Sequence, residues 1–171
     1  MQRNRTVANR NQGFTLIDLM VTLSVLSVVA AIAIPAFGNM IERSRQEALK
    51  DEVESTLHNA RTQAVLRRRT IEICGSGDGA TCSTNWADGW LVRTTTGQTL
   101  QLTQLPHHDE LSWIGFSESI RFRDNGASPA SNGRFYQCHG EQVAWQVVVS
   151  RQGRIRQASE AENAAQASLC R

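Results

Sequence analysis

Residues 14–37 read FTLIDLMVTLSVLSVVAAIAIPAF. This stretch decides the fold because it is almost wholly apolar, with Asp18 as its one charged residue. About 20 apolar residues in a helix span the hydrocarbon core of a bilayer, so the stretch is long enough to cross a membrane. The preceding residues 1–13 contain arginines and no acidic residue. Because cytoplasmic flanks are enriched in Lys and Arg, we expect a cytoplasmic N-terminus and the bulk of the chain on the other side.

The position of Gly13 distinguishes this segment from a secretory signal peptide. A signal peptide carries its small residues and its cleavage site after the apolar run. Here Gly13 precedes the run, which continues through Pro35 into a polar sequence that is predicted to remain helical. Cleavage after Gly13 would leave the apolar helix on the mature protein, where it can hold a subunit in the membrane and later pack against other subunits.

Residues 13–18, GFTLID, resemble the type IV prepilin cleavage motif. The resemblance implies that a prepilin peptidase cuts after Gly13 and methylates the new N-terminal Phe14. It also implies assembly roles for Asp18 and for Pro35, which stands where pilins commonly have a helix-kinking proline. The family usually has glutamate in place of Asp18, and an acid there is expected to pair with the N-terminal amine of a neighbouring subunit, since an unpaired charge in hydrocarbon is costly. The alternative is an ordinary single-pass anchor with an incidental acid.

Residues 38–69 are predicted to form an amphipathic stem helix. Its apolar residues recur at spacings that place them on one helix face: Ile41, Leu49, Val53, Leu57, Ala60 and Ala64. Residues 67–69 are arginines in the last turn, where the helix dipole favours cations. A capping and solvated role is favoured for them over the alternative, a contact with nucleic acid.

Residues 70–171 are predicted to form a β-rich globular head with a C-terminal tail. Short segments of β-type sequence, separated by turn residues, predict strands at 70–73, 90–92, 99–105, 111–116, 119–122, 133–137, 143–149 and 154–156. The predicted fold class is α+β: a long N-terminal helix, membrane anchor plus amphipathic stem, packed on a small antiparallel β-sheet or sandwich.

All four cysteines lie in the predicted head, at Cys74, Cys82, Cys138 and Cys170. They form no C-x-x-C pair, so a zinc site is poorly supported. An even number of cysteines on the outer side of a membrane predicts two disulfides. Three connectivities are possible, of which the sequential pairing Cys74–Cys82 and Cys138–Cys170 is favoured; buried free thiols are the alternative.

The head carries a second resemblance. Residues 71–74 (IEIC), then Cys82, then residues 86–90 (WADGW) are similar to the cysteine-flanked loop and W-x-x-G-W signature of the GspH/FimT-type minor pilins and pseudopilins. Residues 153–156 (GRIR) resemble the G-R-x-R sequence of the DNA-binding FimT-type members. For the two tryptophans of the signature, a packing role is favoured over a ligand platform.

Arginines outnumber acidic residues near the C-terminus, and the resemblance of residues 153–156 to the G-R-x-R sequence implies that some of these arginines contact DNA. The candidate DNA-binding residues are Arg134, Arg151, Arg154 and Arg156. In an extended segment Arg154 and Arg156 point to the same side, so both guanidinium groups can meet one phosphate backbone. Such contacts would be independent of base sequence and sensitive to salt. The alternative is a solvated hairpin with ordinary surface arginines.

The sequence carries no recognisable signature of a catalytic site: no G-x-S-x-G, no H-E-x-x-H and no phosphate-binding glycine loop. His107 and His108 beside Asp109 and Glu110 are a weak metal candidate, because adjacent residues of a strand face opposite ways. We therefore expect no enzymatic activity, no bound metal and no cofactor.

The resemblance implies a minor pilin of a type IV pilus, with a structural and assembly role and DNA binding for DNA uptake. A minor pseudopilin of a type II secretion system is the alternative, and a membrane-tethered periplasmic enzyme or receptor is a disfavoured third. The expected location is the bacterial inner membrane, with one span and a periplasmic head that joins a pilus or pseudopilus. The expected partners are other pilins or pseudopilins through the N-terminal helix, the prepilin peptidase, the inner membrane, and double-stranded DNA through the C-terminal arginines.

A bulky side chain at Gly13 should block processing. We expect Gly13→Leu to accumulate as the precursor in the native host, because leucine does not fit where the motif has a glycine before the cut. Gly13→Ala should be processed slowly or tolerated. Immunoblots that separate the precursor from the mature chain measure this, and mature-size product from the leucine variant would contradict the cleavage site.

Overall fold

The computed structural model describes residues 15–105 and 110–171. Within these residues the chain forms helix α1 (Leu16–Arg67), strands β1 (Ile71–Gly75), β2 (Gly89–Thr94), β3 (Thr99–Gln104), β4 (Leu111–Gly115), β5 (Ile120–Phe122), β6 (Gly133–His139), β7 (Gln142–Val149) and β8 (Ile155–Gln157), helix α2 (Glu160–Ala165) and a 3₁₀ turn (Ala167–Cys170). The chain divides into two compact units, one ending at Ser44 and the other running from Arg45 to Arg171.

The N-terminal part of α1 is long and apolar enough to cross a membrane, with a mean hydropathy of 2.4. Its hydroxyl side chains donate to carbonyl oxygens of the preceding turn: Thr22 to Leu19, Ser24 to Met20 and Ser27 to Ser24. These bonds satisfy the three hydroxyl groups in the apolar part of the helix, as a hydrocarbon environment requires. The helix continues past Pro35, which lies within it.

In the second unit, α1 contributes a stripe of buried residues to the core: Leu49, Val53, Thr56, Leu57, Ala60 and Ala64. All of these except Thr56 lie on the predicted apolar face. Ile41, the first residue of that face, is 61% exposed and belongs to the other unit. Thr56 was missed because its hydroxyl counts as polar; the Trp90 indole Nε1 donates to Thr56 Oγ1 at 3.3 Å, so both groups are satisfied in the core.

Two four-stranded antiparallel sheets complete the second unit, in the orders β3-β2-β1-β5 and β4-β6-β7-β8. Each of the eight predicted strand segments overlaps one of these strands. Their inner faces and the buried stripe of α1 enclose one hydrophobic core. The predicted α+β architecture, a long N-terminal helix packed on small antiparallel sheets, is therefore confirmed.

Aromatic rings fill the core between the helix and the sheets. Trp86 and Trp90 are 3% and 2% exposed, which agrees with the packing role favoured for the tryptophans of the WADGW segment. The ring of Trp86 meets that of Phe135 edge-on, with 4.8 Å between the centroids. The ring of the partly buried Trp113 contacts the same phenylalanine in a tilted arrangement, with 4.8 Å between the centroids. Such edge-on and tilted pairs add to the stabilisation from area burial.

The outer face of the first sheet carries a row of paired charges. The register places Glu72 on β1 opposite Arg93 on β2 and Arg121 on β5. Both guanidinium groups reach the Glu72 carboxylate, at 2.8 and 2.7 Å. Burial would raise the pKa of the Glu72 carboxyl, but hydrogen bonds from Arg121, Arg93 and Ser119 outweigh it and lower that pKa. Two of the head's arginines are thus already paired within the fold.

The C-terminal segment has more regular structure than the predicted tail. Ser159 caps α2, and Glu162 completes a capping box by accepting from the Ser159 backbone N–H. The spacing S-x-x-E is the sequence signal that could have found this helix. The disulfide Cys138–Cys170, with 5.6 Å between the Cα atoms, ties the segment to β6, and Cys74–Cys82 closes the loop after β1 at 5.4 Å. This is the sequential pairing that the sequence analysis favours.

Breaking the Cys138–Cys170 bridge should destabilise the head more than breaking Cys74–Cys82. The two bridges join residues 32 and 8 positions apart. If a bridge acts by restricting the unfolded chain, Cys170→Ser should cost about 1 kcal/mol more than Cys82→Ser, within the roughly 2–5 kcal/mol expected for loss of a native bridge. Urea unfolding of the full chain in detergent, followed by tryptophan fluorescence, gives both values. Equal losses would contradict the loop-length argument.

A candidate nucleic-acid interface

A tight turn joins β7 to β8 and presents Arg151 and Arg154. The Gly153 N–H donates to the Ser150 carbonyl oxygen at 2.9 Å, and the Ser150 N–H donates to the Arg154 carbonyl oxygen at 3.0 Å. Gly153 has a φ of 75°, a conformation that residues with a side chain rarely adopt. A Cβ at this position would also collide with the Gly126 carbonyl oxygen. The backbone therefore requires the glycine of the GRIR sequence.

The turn that contains Gly126, after β5, contacts the turn at residues 150–154, which we call the arginine turn. The Ser128 N–H donates to the Arg151 carbonyl oxygen at 3.0 Å, which joins the two turns through their backbones. From helix α1, Arg61 Nε donates to the Gly126 carbonyl oxygen at 3.1 Å. Helix α1, the turn that contains Gly126 and the arginine turn thus contact one another in that order, through these hydrogen bonds and through close glycine packing. We conclude that these contacts fix the position of the arginine turn.

The predicted DNA-binding residues Arg151 and Arg154 are both exposed on this turn. Arg151 Nε donates to Asn132 Oδ1 at 3.4 Å, a long bond that an anionic ligand can replace. The Arg154 backbone N–H is held by Ser150 Oγ at 3.1 Å. Within residues 15–105 and 110–171, neither guanidinium pairs with a carboxylate. These two arginines have the exposure and the open charge that a phosphate contact needs.

The other two predicted residues, Arg134 and Arg156, lie in one row across the second sheet. Both are in register with Val148 of the central strand β7. Arg134 is half-buried, and its Nη1 donates to Gln146 Oε1 at 3.1 Å. Arg156 is on the same face as Arg154, as the alternation predicts, with the buried Ile155 between them on the opposite face.

Arg156 is already engaged by a carboxylate of its own chain. Its two Nη atoms donate to the two carboxylate oxygens of Glu162 at 2.9 and 2.7 Å, a fork-on-fork ion pair. The bonds from Arg156, with those from Ser159, lower the pKa of Glu162 to about 2, and Glu162 in turn raises the pKa of Arg156. The sequence analysis missed Glu162. A phosphate that uses both Arg154 and Arg156 would have to compete with this pair.

The predicted processing and assembly residues lie at the other end of the chain. Gly13 and Phe14 fall outside the described residues. Asp18 accepts two hydrogen bonds from Thr15 on Oδ2, from the backbone N–H at 3.0 Å and from the hydroxyl at 2.7 Å, while its own N–H donates to Thr15 Oγ1 at 3.3 Å. This reciprocal arrangement is a capping box at the start of α1, in which Thr15 is the N-cap and Asp18 is the third helical residue, so Asp18 helps to fix the start of the helix as well as carrying its charge.

The weak metal candidate cannot be placed. His107, His108 and Asp109 fall outside the described residues, and only Glu110 lies within them. Elsewhere in residues 15–105 and 110–171, no group of three or more His, Cys, Asp or Glu side chains comes close enough to hold a metal ion.

Two family models match the chain. The family described as type II transport protein GspH matches residues 44–153, which is more than half of the sequence. The prokaryotic N-terminal methylation motif matches residues 8–34, the region that contains the predicted cleavage site and the start of the apolar helix.

Individual relatives and a solved structure point the same way. The chain is 31% identical over 88 residues to the type IV major fimbrial protein FimA of Dichelobacter nodosus, covering 50% of this chain and 49% of that protein. It is 44% identical over 46 residues to the type IV major pilin PilA of Myxococcus xanthus, covering 27% and 21%. The chain thus spans half or less of the length of these curated relatives. The crystal structure of the type IV minor pilin FimU of Pseudomonas aeruginosa shares the fold, with a TM-score of 0.56, 22% identity, and coverage of 70% of this chain and 92% of that one.

Acid should loosen helix α2 through Glu162. Its pKa lies near 2 in the folded chain against an ordinary 4.5, so its contribution to stability is complete above pH 4.5 and is lost as the pH falls toward 2. We expect Glu162→Gln, which keeps the capping box, to lose less stability than the wild type between pH 6 and pH 3. Urea unfolding at the two pH values measures this. Glu160→Gln, two residues earlier in the same first turn, is the matched control and should behave as the wild type. Identical pH profiles for all three proteins would contradict the role of Glu162.

Proposed function

We propose a role for this chain from one premise: it belongs to the GspH family and is a type IV pilin-like structural subunit. We propose that it is a minor pilin of a type IV pilus, anchored in the bacterial inner membrane with its head in the periplasm before assembly. The observation that carries this is the 52-residue helix α1, which starts as a membrane-length apolar segment and ends as the buried stripe of the head core. Such a helix can be membrane anchor and filament core in turn.

Assembly would begin with processing by a prepilin peptidase. Removal of the leader, residues 1–13, and methylation of Phe14 would place an amine directly before the capping box that Thr15 and Asp18 form. Both bonds from Thr15 use Asp18 Oδ2, so within the described residues Oδ1 remains able to accept from the amine of a neighbouring subunit. Pairing there would neutralise a charge that is costly in hydrocarbon, and would set the axial step between subunits.

The head would add DNA binding to this assembly role. Arg151 and Arg154 are exposed on a turn whose backbone is fixed by hydrogen bonds, so only their side chains have to be ordered when they meet a phosphate. Contacts of this kind carry no base specificity and weaken with salt. DNA capture for uptake is the function that fits such a surface on a filament subunit.

The alternative within the same family is a minor pseudopilin of a type II secretion system. The arginine turn favours the pilus, because a surface for polyanions has a use in DNA uptake and none that is evident in protein secretion. A membrane-tethered enzyme or receptor is disfavoured, since the family is one of structural subunits.

One complementation experiment tests these proposals together. In a strain that lacks the gene, the wild-type chain should restore surface pili and DNA uptake. Arg154→Ala should restore pili but reduce uptake by about tenfold or more, because it removes an open phosphate contact without touching the core. Arg171→Ala, which removes an exposed arginine at the C-terminus, is the charge-matched control and should restore both.

The other outcomes separate the alternatives. Loss of protein secretion with normal pili in the deletion strain would identify a pseudopilin. Full uptake with Arg154→Ala would remove the DNA proposal while leaving the pilin assignment in place.

A further inference from the structure

Helix α1 ends at Arg67, and Arg68 and Arg69 follow in the short connection to β1; all three arginines are exposed. Arg68 has a φ of 49°, the left-handed conformation that turns the chain out of the helix. The Arg69 N–H donates to the Ala64 carbonyl oxygen at 3.2 Å, which fixes this reversal. Three consecutive cations are therefore held at one end of the head by backbone geometry.

Contacts within the second unit bring this helix end beside the two stacked turns. Gly126 lies against α1: besides the bond from Arg61, a Cβ at Gly126 would come within 3.3 Å of Val65 Cγ2. Val65 precedes Arg69 by one helical turn. The turn that contains Gly126 also contacts the arginine turn, where Gly126 and Gly153 approach closely.

Strand pairing provides a second, independent link. Ile71 of β1 is in register with Phe122 of β5 in an antiparallel pair. If the register continued past the strand ends, Thr70 would lie opposite Arg123 and Arg69 opposite Asp124, so the end of the helix lies close to the segment that carries Arg123. Arg123 is exposed, and its backbone N–H donates to the Ala127 carbonyl oxygen at 2.8 Å to close the turn that contains Gly126.

Ion pairing divides the arginines of the head into two groups. Three are paired with carboxylates: Arg93 and Arg121 with Glu72, and Arg156 with Glu162. Seven exposed arginines have no carboxylate partner within residues 15–105 and 110–171. One is the C-terminal Arg171, and the other six lie in the three segments that meet at this end: Arg67, Arg68, Arg69, Arg123, Arg151 and Arg154. Asp124 is the acid within those segments. We call these six residues the basic end.

We infer that the basic end is one continuous DNA-binding surface, in which the arginines that end the helix contact the duplex backbone together with the arginine turn. This inference rests on the proposed DNA binding and extends it to Arg67, Arg68, Arg69 and Arg123. Unpaired like charges held close together repel one another, and a polyanion relieves that repulsion on binding. Phosphates recur along both strands of a duplex, so a surface built from three segments can hold several at once.

Salt-dependent binding of the full chain to a short duplex DNA tests the inference. The protein is kept in non-ionic detergent micelles, and fluorescence anisotropy gives the dissociation constant across a series of KCl concentrations. The logarithm of affinity falls by about 0.9 per decade of salt for each phosphate contact, so Arg68→Gln/Arg69→Gln should reduce the slope by about 2. The matched control is Arg43→Gln/Arg45→Gln, which removes the same charge from the same helix, away from its C-terminal end. It should leave the slope unchanged.

Arg154→Ala, measured in parallel, separates this inference from the proposed function. If Arg154→Ala weakens binding and Arg68→Gln/Arg69→Gln does not, the turn binds DNA and the extended surface is wrong. If the two double variants reduce the slope equally, binding follows net charge and the surface is again wrong. If no variant changes the affinity, the proposed DNA binding fails together with its extension. Thermal unfolding of each variant verifies that these exposed substitutions leave the head folded.

Discussion

The burial of one stripe of α1 is the contact on which the rest of the head depends. Leu49, Val53, Leu57, Ala60 and Ala64 are each 5% exposed or less and close the core shared by both sheets. Small residues near the end of the stripe let the helix and the strands approach closely. The stripe belongs to the same helix that starts as a membrane-length apolar segment. The residues that stabilise the head and the apolar residues near the N-terminus therefore lie on one continuous helix.

The arginine turn depends on that packing at one remove. Arg61, one residue after the buried Ala60, reaches the carbonyl of Gly126, and Gly126 leaves just enough space for Gly153. A side chain at Gly153 would separate the turns, and loss of the helix contact would release both. The geometry of the candidate DNA surface is thus set by backbone contacts and glycines, while the arginines themselves extend freely into solvent.

Ion pairs within the head decide which of its arginines have no carboxylate partner. Glu72 takes two arginines on the outer face of the first sheet, and Glu162 takes Arg156 beside the second. Apart from the C-terminal Arg171, the exposed arginines without a carboxylate partner lie where the end of helix α1 meets the two turns. The number of basic residues along the chain does not show this division, since the paired Arg93, Arg121 and Arg156 are interspersed among the unpaired ones.

The sequence by itself determined the long helix and the eight strand segments, because these follow from the spacing of apolar residues and turn residues along the chain. It favoured the sequential disulfide pairing but left three connectivities open, and the tertiary structure selects Cys74–Cys82 and Cys138–Cys170. The sequence also contained the capping-box signal for α2, which the analysis did not use. Only the tertiary structure decided which arginines are open. Glu72 meets Arg93 and Arg121 across 21 and 49 residues, and Gly126 meets Gly153 and Arg61 across similar separations. Strand register and turn stacking set such meetings, and neither is encoded in neighbouring residues.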